Sequence, residues 1–433
     1  MDNIIEERAR RTEWFLRDRL GMFIHWGLYA IPARGEWVRQ VEKISVSQYQ
    51  KYFDEFNPTR YDPKKWARAA KQAGMRYAVM TAKHHDGFCL FDSKLTDYKS
   101  TNTKAKKDLI MEYAEAFRTE GIKVGLYYSL LDWHHEHFIP EYDVYYPMSA
   151  DVDKQKPRDF SKYLNYFHGQ VRELLTEYGK IDIMWFDFSY YNMTGEAWEA
   201  AELVNMARSL QPDIIIDNRL EALLEHGGAK QSIRTKQPKI YAGDFASPEQ
   251  VIPSGGLADE DGDPIPWEAC MTLNNHWGYN ASDLDYKSPK QIIRAIVECA
   301  SKNGNLILNV GPDAKGEIPE KSLEVLAEIG KWMRINGESI YGCRSAGIEK
   351  PEWGRYTKNG NKLYAHIYDR GIGPISLNGL NGKVRIARLL ADGSEVNLGT
   401  PWYITDFPND TFLDLKGQQL PDESDTVIEL ELI

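Results

Sequence analysis

Histidine, tryptophan, tyrosine and carboxylate side chains recur where short apolar runs of the sequence end. Such runs are typical of parallel β-strands, and parallel barrels carry their reactive residues at the carboxyl ends of the strands. The clusters are Phe23-Ile-His-Trp-Gly27, Lys83-His-His-Asp-Gly87, Tyr127-Tyr-Ser129, Trp185-Phe-Asp187, Asp217-Asn-Arg219 and Asn274-Asn-His-Trp-Gly-Tyr279. Any one of them could be ordinary packing, but all six on one barrel face predict a functional site.

This mixture of side chains suits a neutral ligand with many hydroxyl groups. Aromatic faces bury the C–H surface of a sugar, while imidazole and carboxylate groups bind its hydroxyls. No glycine-rich phosphate loop follows a strand, and no G-x-S-x-G nucleophile elbow occurs. Nucleotide chemistry and serine hydrolysis are therefore disfavoured, and the residues predict a monosaccharide pocket.

The clusters need a scaffold of parallel strands, and the chain alternates β-branched or aromatic runs with stretches of helical period. Candidate strands lie at Gly21–Gly27, Tyr77–Ala82, Lys123–Ser129, Ile181–Asp187, Ile214–Asn218, Tyr241–Phe245, Ala269–Leu273 and Leu306–Val310. Amphipathic helices are predicted at Pro63–Ala73, Lys107–Thr119, Asp159–Tyr178, Glu196–Leu210, Pro289–Ser301 and Pro319–Ile335. The Gly-, Pro- and polar-rich segments 219–240 and 246–266 predict loops beside a cleft. This pattern predicts an α/β fold with a (β/α)8-like barrel.

The pattern changes near Tyr341, where strands of period two replace the alternation of strands and helices. The run Thr426–Ile433 is an example, and Asn381-Gly382 and Asp392-Gly393 are turn signals between such runs. We therefore predict two domains: a catalytic barrel over residues 1–340 and an antiparallel β domain over residues 341–433.

Composition limits the partners and the environment. The 433 residues carry 53 Lys and Arg against 64 Asp and Glu, and this net charge of −11 would repel nucleic acid and anionic membranes. The amino terminus has no apolar signal segment, and no stretch is long enough to span a membrane, which predicts a cytoplasmic location if the numbering starts at the natural N-terminus. The four cysteines are Cys89, Cys270, Cys299 and Cys343. They form no C-x-x-C pair, so they suggest neither a disulfide framework nor a zinc knuckle.

Several longer blocks of the sequence resemble α-L-fucosidases of glycoside hydrolase family 29. The blocks are Gly21–Pro32, Glu36-Trp37, Thr81–Phe88, Gly125–Ser129, Trp185-Phe-Asp187, Trp267-Glu268 with Trp277-Gly-Tyr279, and Leu308–Pro312. The resemblance implies a TIM-type barrel followed by a β-sandwich. It also implies hydrolysis of terminal, non-reducing α-L-fucose from glycosides, with retention of configuration through a covalent intermediate and without a metal or organic cofactor. A homo-oligomer is compatible with it.

The resemblance also assigns the catalytic carboxylates. Asp187 stands where the family carries its nucleophile, although the family commonly has glycine at the next position and this chain has Phe188. The acid/base lies on a variable loop in the family. Glu249, within Gly243–Gln250, is the first candidate, and Glu268 is its rival; either could instead be a structural or solvated loop carboxylate.

The remaining site residues follow from the same resemblance. It places His25, Glu36, Trp37, His84 and His85 on the sugar hydroxyls. It also places Tyr127 beside the nucleophile. The period of two along a strand, which turns Tyr127 and Tyr128 to opposite faces, supports this choice of tyrosine. Trp185 and Trp277 would contact apolar sugar surface, including the C6 methyl. Arg219 would support the catalytic carboxylates, although the family often reads Asn-Asp-Arg where this chain has Asp217-Asn218-Arg219.

Two other classes of function stay open. A metal-dependent barrel hydrolase would also place His and Asp at strand ends, and Trp133–His137 is rich in histidine. Its spacing is poor for a metal, so we expect this segment to line the leaving-group side of the cleft. A non-catalytic sugar-binding protein would keep the aromatic side chains but would not need Asp187, Glu249 and Glu268.

Overall fold

The computed structural model describes residues 2–149, 152–189, 193–221, 233, 236, 238–371, 373–399, 402, 404–415 and 419–433. Its first sheet is parallel and curls into a barrel. The strands are β1 Leu20–Ile24, β2 Tyr77–Lys83, β3 Lys123–Ser129, β4 Ile183–Asp187, β5 Ile215–Ile216, β6 Glu268–Thr272 and β7 Asn305–Val310. Their order across the sheet is β5-β4-β3-β2-β1-β7-β6, and all pairings are parallel. Seven of the eight predicted strands are therefore present in the described part of the chain.

The predicted strand Tyr241–Phe245 is the exception. Gly243 has φ +87, a left-handed conformation that breaks an extended backbone. Beyond it, isolated parallel bridges join Asp217 to Phe245 and Ala246 to Trp267. The two edges of the sheet are thus connected by bridges rather than by a regular strand. The predicted loop 219–240 lies largely outside the described residues, whereas 246–266 has no helix, as predicted.

Helices surround the barrel and begin at residues suited to capping. The helices of the described chain are α1 Asp2–Asp18, α2 Val38–Val41, α3 Val46–Glu55, α4 Pro63–Gln72, α5 Leu109–Thr119, α6 Phe160–Glu177, α7 Ala200–Leu210, α8 Pro289–Ala300 and α9 Glu320–Asn336. The six predicted helices correspond to α4–α9. Ser45 and Ser288 form capping boxes, while Asp62, Asp108 and Asp159 accept hydrogen bonds from backbone N–H groups of the first turn.

Helix α1 closes the amino end of the barrel, which the sequence did not predict. The Phe15 ring lies 5.4 Å from Tyr77, the first residue of β2, and 4.7 Å from Phe245. Arg11 is buried and pairs with the buried Asp244 at 2.9 Å. Because Arg11 places a charge on the inner side of the helix, α1 does not show a purely apolar inner face. Since α1 covers the amino end of the barrel, the interior opens at the carboxyl ends of its strands.

The carboxyl-terminal part of the chain forms an antiparallel sheet. Its strands are β8 Arg344–Ser345, β9 Gly354–Asn359, β10 Lys362–Ile367, β11 Ile375–Leu377, β12 Val384–Leu389, β13 Glu395–Gly399, β14 Thr411–Asp414 and β15 Thr426–Leu432. Their order is β11-β14-β13-β12-β15-β10-β9-β8. Leu363 and Leu430 share one apolar cluster with Leu377 and Leu413 from the far edge, so the sheet folds over a common core. The predicted fold class, a barrel followed by a β-sandwich, is confirmed.

Helices α8 and α9, which surround the barrel, contact the carboxyl-terminal β domain directly. Arg355 of β9 donates to Glu298 of α8 through Nε at 2.7 Å and Nη2 at 2.6 Å. The indole of Trp332 in α9 donates to the Asp425 carbonyl at 3.0 Å.

No helix of the described chain is long and apolar enough to cross a membrane.

Candidate active site

A cavity of about 240 Å³ lies at the carboxyl ends of the barrel strands. This volume lies below the roughly 300–1,000 Å³ of pockets for drug-sized ligands, and suits one small ligand. The lining residues are Phe23, His25, Trp37, His84, His85, Tyr127, Tyr145, Trp185, Asp187, Phe188, Arg219, Glu249, Cys270 and Trp277. The structure thus brings together ten of the eleven residues predicted for the site.

Asp187 ends β4 and accepts two hydrogen bonds inside the cavity. Tyr127 of β3 donates to Oδ2 at 2.7 Å, and Arg219 donates to Oδ1 from Nη1 at 2.8 Å. Tyr127 reaches Asp187 because it points into the barrel. Its neighbour Tyr128 points the other way and donates to Gln170 of α6 at 2.6 Å. The alternation of a β-strand therefore selects which tyrosine meets the carboxylate.

Arg219 joins the two carboxylates of the cavity. Its Nη1 donates to Asp187, and its Nη2 donates to Glu249 Oε2 at 3.0 Å. Nε donates to the Ser247 hydroxyl at 3.1 Å, and the guanidinium carbon lies 4.5 Å from the centre of the Trp185 ring. These contacts fix the plane of the guanidinium, so both carboxylates are held in one orientation.

Opposing effects act on the pKa of Asp187. Burial raises the pKa of Asp187, and the nearby Glu249 carboxylate also raises it. The Arg219 charge and the Tyr127 hydrogen bond lower this pKa. Arg219 therefore counteracts the desolvation that would otherwise favour the protonated carboxyl.

The two acid/base candidates occupy different places. The Glu249 side chain is 40% exposed and lines the cavity. Glu268 is 0% exposed, begins β6 and does not line the cavity. It accepts a hydrogen bond from the Tyr77 hydroxyl, and burial raises the pKa of Glu268 to about 8. Only Glu249 shares the cavity with Asp187.

Two histidines present hydrogen-bond acceptors to the cavity. Asn309 donates its amide to the Trp277 carbonyl at 2.7 Å, so its Oδ1 accepts from His25 Nδ1 at 2.7 Å. Ser129 donates to the Leu131 carbonyl at 2.9 Å and thus accepts from His85 Nδ1 at 2.7 Å. The proton of each neutral ring is fixed on Nδ1, which leaves Nε2 as an acceptor.

Burial keeps these imidazoles neutral. It lowers the pKa of His25 to about 3, and it lowers the pKa of His84 and His85 as well. His84 stacks on Tyr127 with ring centroids 5.6 Å apart. His85 Nε2 lies 4.0 Å from Asp187 Oδ2. Since that nitrogen is an acceptor, a ligand hydroxyl rather than the carboxylate is its natural partner.

Glu36 is the one predicted binding residue outside the cavity lining. It is buried, and Glu36 Oε2 accepts a hydrogen bond from the Gly278 backbone N–H at 2.8 Å. This bond ties the loop after β1 to the loop that carries Trp277. Burial raises the pKa of the Glu36 carboxyl. In this structure Glu36 therefore acts on the cavity through the position of Trp277.

Four lining residues were not assigned to the site from the sequence: Phe23, Tyr145, Phe188 and Cys270. Phe23 and Cys270 point into the barrel, and a period-two count from His25 would have found Phe23. Phe188 has φ +78, a conformation that favours glycine and is an outlier for a bulky side chain. Tyr145 comes from the long segment between β3 and α6, whose path does not follow from sequence pattern.

The histidine-rich segment Trp133–His137 does not converge on a common point. His134 stacks on Tyr98 with ring centroids 3.8 Å apart, and His135 packs on Tyr166 at 4.4 Å. Among the described residues, no group of three His, Cys, Asp or Glu side chains could hold a metal ion. Stacking within the fold accounts for these two rings.

Comparisons with known proteins agree with this geometry. The family model described as Alpha-L-fucosidase matches residues 3–338. α-L-Fucosidase isoenzyme 1 from Paenibacillus thiaminolyticus has a similar solved structure, with 63% identity and a TM-score of 0.94, covering 99% of this chain and 100% of that one.

A second solved structure and a curated relative extend the comparison. The first is a family 29 α-L-fucosidase from Bacteroides thetaiotaomicron, a trapped covalent intermediate with 2-fluoro-fucosyl fluoride in a glutamate-to-glutamine mutant. It is 32% identical with a TM-score of 0.84, and the match covers 98% of this chain and 96% of that one. The plasma α-L-fucosidase of Homo sapiens is 28% identical over 359 residues, which cover 76% of this chain and 68% of the relative.

Proposed function

Because the chain belongs to the α-L-fucosidase family of glycoside hydrolases, we propose that it removes terminal, non-reducing α-L-fucose with retention of configuration. α-L-Fucosidase activity itself follows from the family and its relatives. The mechanism and the residue roles are our proposal. The observation that carries it is the pair of carboxylates, Asp187 and Glu249, hydrogen-bonded to one guanidinium in a cavity of monosaccharide size.

Asp187 is the nucleophile in this proposal. Retaining glycosidases use two carboxyl groups about 5–5.5 Å apart. The hydrogen bonds of Arg219 to both Asp187 and Glu249 support such a close pair. Asp187 Oδ2 or Oδ1 attacks the anomeric carbon, and the bond from that carbon to the leaving oxygen breaks. The product of this step is a fucosyl ester of Asp187. Arg219 and Tyr127 support it by favouring the ionised carboxylate before attack.

Glu249 is the acid/base. It donates a proton to the leaving oxygen in the first step, so that the leaving group departs as a neutral alcohol. In the second step the Glu249 carboxylate takes a proton from water, which attacks the anomeric carbon and releases Asp187. Arg219 contacts Oε2 of Glu249, which leaves Oε1 to carry the transferred proton. Partial exposure places this side chain where alcohol and water exchange.

The cavity walls suit fucose in particular. His25 and His85 offer imidazole acceptors for sugar hydroxyls, while Trp185 and Trp277 offer apolar faces for the C–H surface and the C6 methyl. An α-L-galactoside, which differs from the fucoside only by a hydroxyl on C6, would bring a hydroxymethyl group to the same apolar surface without a matching partner there. We therefore propose that fucosides are preferred over galactosides because a buried hydroxyl without a partner loses binding energy.

The first test compares initial rates on p-nitrophenyl α-L-fucoside, β-D-galactoside and α-D-glucoside, with and without EDTA. Native protein should hydrolyse the fucoside selectively and to the same extent in EDTA, and Asp187→Ala should lose several orders of magnitude in kcat while keeping its unfolding midpoint. An active Asp187→Ala variant would remove the nucleophile assignment. Loss of activity in EDTA would instead favour a metal-dependent hydrolase, and binding without turnover would favour a sugar-binding protein.

A further inference from the structure

Three aromatic rings from different segments contact one another at the mouth of the cavity. Trp37 follows β1, Tyr145 belongs to the segment after β3, and Phe188 follows β4. Their ring centroids lie 5.5 Å (Trp37–Tyr145), 5.6 Å (Trp37–Phe188) and 5.9 Å (Tyr145–Phe188) apart. All three line the cavity. We call them the aromatic wall.

The aromatic wall lies at the open end of the cavity, where the leaving group of a bound fucoside would extend. The far end of the barrel is closed by Phe15 of α1, and Asp187 and the three histidines of the cavity are buried. Tyr145 is 44% exposed and Glu249 is 40% exposed, so these two mark the open end. A cavity of about 240 Å³ has room for little more than one sugar. Whatever is joined to that sugar therefore extends past the wall.

Phe188 occupies a backbone conformation that a phenylalanine adopts only at an energetic cost. Its φ of +78 is typical of glycine, and strained residues of this kind concentrate at functional sites. The ring packs edge-on against His85 with centroids 4.6 Å apart, next to Trp37. The benefit of a large apolar ring at this point must offset the strain. Contact with a substrate provides such a benefit.

We propose that the aromatic wall is a leaving-group site, and that it selects α-L-fucosides whose leaving group presents a flat apolar face. An aryl group has such a face, and so has the C–H side of a pyranose. Aliphatic alcohols without such a face gain no stacking contact. The proposal rests on the proposed function, because it assumes that fucose fills the inner cavity and that Glu249 protonates the leaving oxygen.

The experiment compares 2-phenylethyl α-L-fucoside with methyl α-L-fucoside. Both release simple alkanols of similar acidity, so the demand on the proton donor is matched, and the phenylethyl compound adds the aromatic face that the methyl compound lacks. In native protein we expect kcat/KM to be about three- to tenfold higher for the phenylethyl compound, as one aromatic contact predicts. Tyr145→Ala should bring this ratio close to one.

Two further variants make the test specific. Phe188→Gly accepts the left-handed backbone without strain and should also lower the ratio. Tyr142→Ala is the matched control, because Tyr142 lies on the same segment, is 38% exposed and packs on Phe160 instead of lining the cavity. It should keep the native ratio. Unfolding midpoints show whether each variant is folded.

The outcomes separate the two proposals. Three results would overturn the leaving-group site while fucoside hydrolysis stands. They are a native kcat/KM ratio near one, a ratio unchanged in both Tyr145→Ala and Phe188→Gly, and a ratio lowered equally in Tyr142→Ala. If neither fucoside is hydrolysed by native protein, the proposed function itself fails.

Discussion

Asp187 and Glu249 accept hydrogen bonds from the two terminal nitrogens of a single guanidinium group. Arg219 supplies it, at 2.8 Å to Asp187 and 3.0 Å to Glu249. The first carboxylate is buried and the second is partly exposed. One arginine thus couples a desolvated group suited to attack with a solvent-accessible group suited to proton exchange.

Replacing Tyr127 tests whether its hydrogen bond supports Asp187 as the proposed nucleophile. Tyr127→Phe removes the 2.7 Å hydrogen bond to Asp187. Hydrogen bonds to charged groups contribute about 1.5–3 kcal/mol, so kcat/KM should fall about 10- to 100-fold. Tyr128→Phe is the control from the opposite face of the same strand. Tyr128→Phe should destabilise the protein but lower kcat/KM far less than Tyr127→Phe does. Equal losses of kcat/KM in the two variants would contradict the account.

Replacing Arg219 should change the pH profile as well as the rate. Arg219 lowers the pKa of Asp187, whereas burial raises it. In Arg219→Gln this pKa should rise further, so the acidic limb of kcat/KM, which needs ionised Asp187, should move to higher pH. Arg118→Gln is the control, because Arg118 donates to the Tyr178 and Lys180 carbonyls. A lower rate with an unmoved acidic limb would mean that Arg219 does not set this ionisation.

The identity of the acid/base is tested by leaving-group dependence. Glu249→Ala should lose about 10²- to 10⁴-fold in rate on methyl α-L-fucoside, which needs protonation. It should lose far less on α-L-fucosyl fluoride, whose leaving group needs little assistance. Azide should accelerate the variant on the fluoride, because this anionic nucleophile attacks the anomeric carbon of the fucosyl ester without a general base, releases Asp187 and yields α-L-fucosyl azide. Glu268→Gln should show neither leaving-group dependence nor azide rescue, and the reverse result would make Glu268 the acid/base.

Glu268 should affect stability in a pH-dependent way. Burial raises its pKa from 4.5 to about 8 in the folded protein. The folded state therefore holds this proton more tightly than the unfolded chain, so the resulting stabilisation is full below about pH 4.5 and is lost as pH rises towards 8. The slope is up to about 1.4 kcal/mol per pH unit.

Glu268→Gln keeps an acceptor for Tyr77 but cannot titrate. The free energy of unfolding of the native protein, measured with urea between pH 5 and pH 8, should decline relative to that of Glu268→Gln as pH rises. Parallel profiles for the two proteins would show that Glu268 does not carry this proton.

Local pattern predicted most of the barrel, and tertiary contacts decided the rest. Asp187 was placed because β4 is a short apolar run that ends in a carboxylate. The strand Tyr241–Phe245 was wrong because Gly243 turns the backbone out of the extended conformation. Helix α1 was missed because Arg11 is buried against Asp244, a partner far away in sequence.

In the candidate site too, local pattern predicted some positions and tertiary contacts decided the others. Tyr127 lies on β3 and His25 directly follows β1, so their directions follow from the alternation of those strands. Tyr145 could not be placed, because its position depends on packing against Trp37 and Phe188. The preference for Glu249 over Glu268 came from a family resemblance. In the structure Glu249 lines the cavity, whereas Glu268 lies at the start of β6, outside the cavity lining.

The most direct test of the central claim is covalent trapping of the nucleophile. Glu249→Gln protein is incubated with 2-fluoro-fucosyl fluoride and digested, and the labelled peptide is located by mass spectrometry. The account predicts one fluorofucosyl group per chain, attached to Asp187 and absent when Asp187→Asn is combined with Glu249→Gln. A label on any other residue, or steady turnover of the reagent without a labelled peptide, would contradict it.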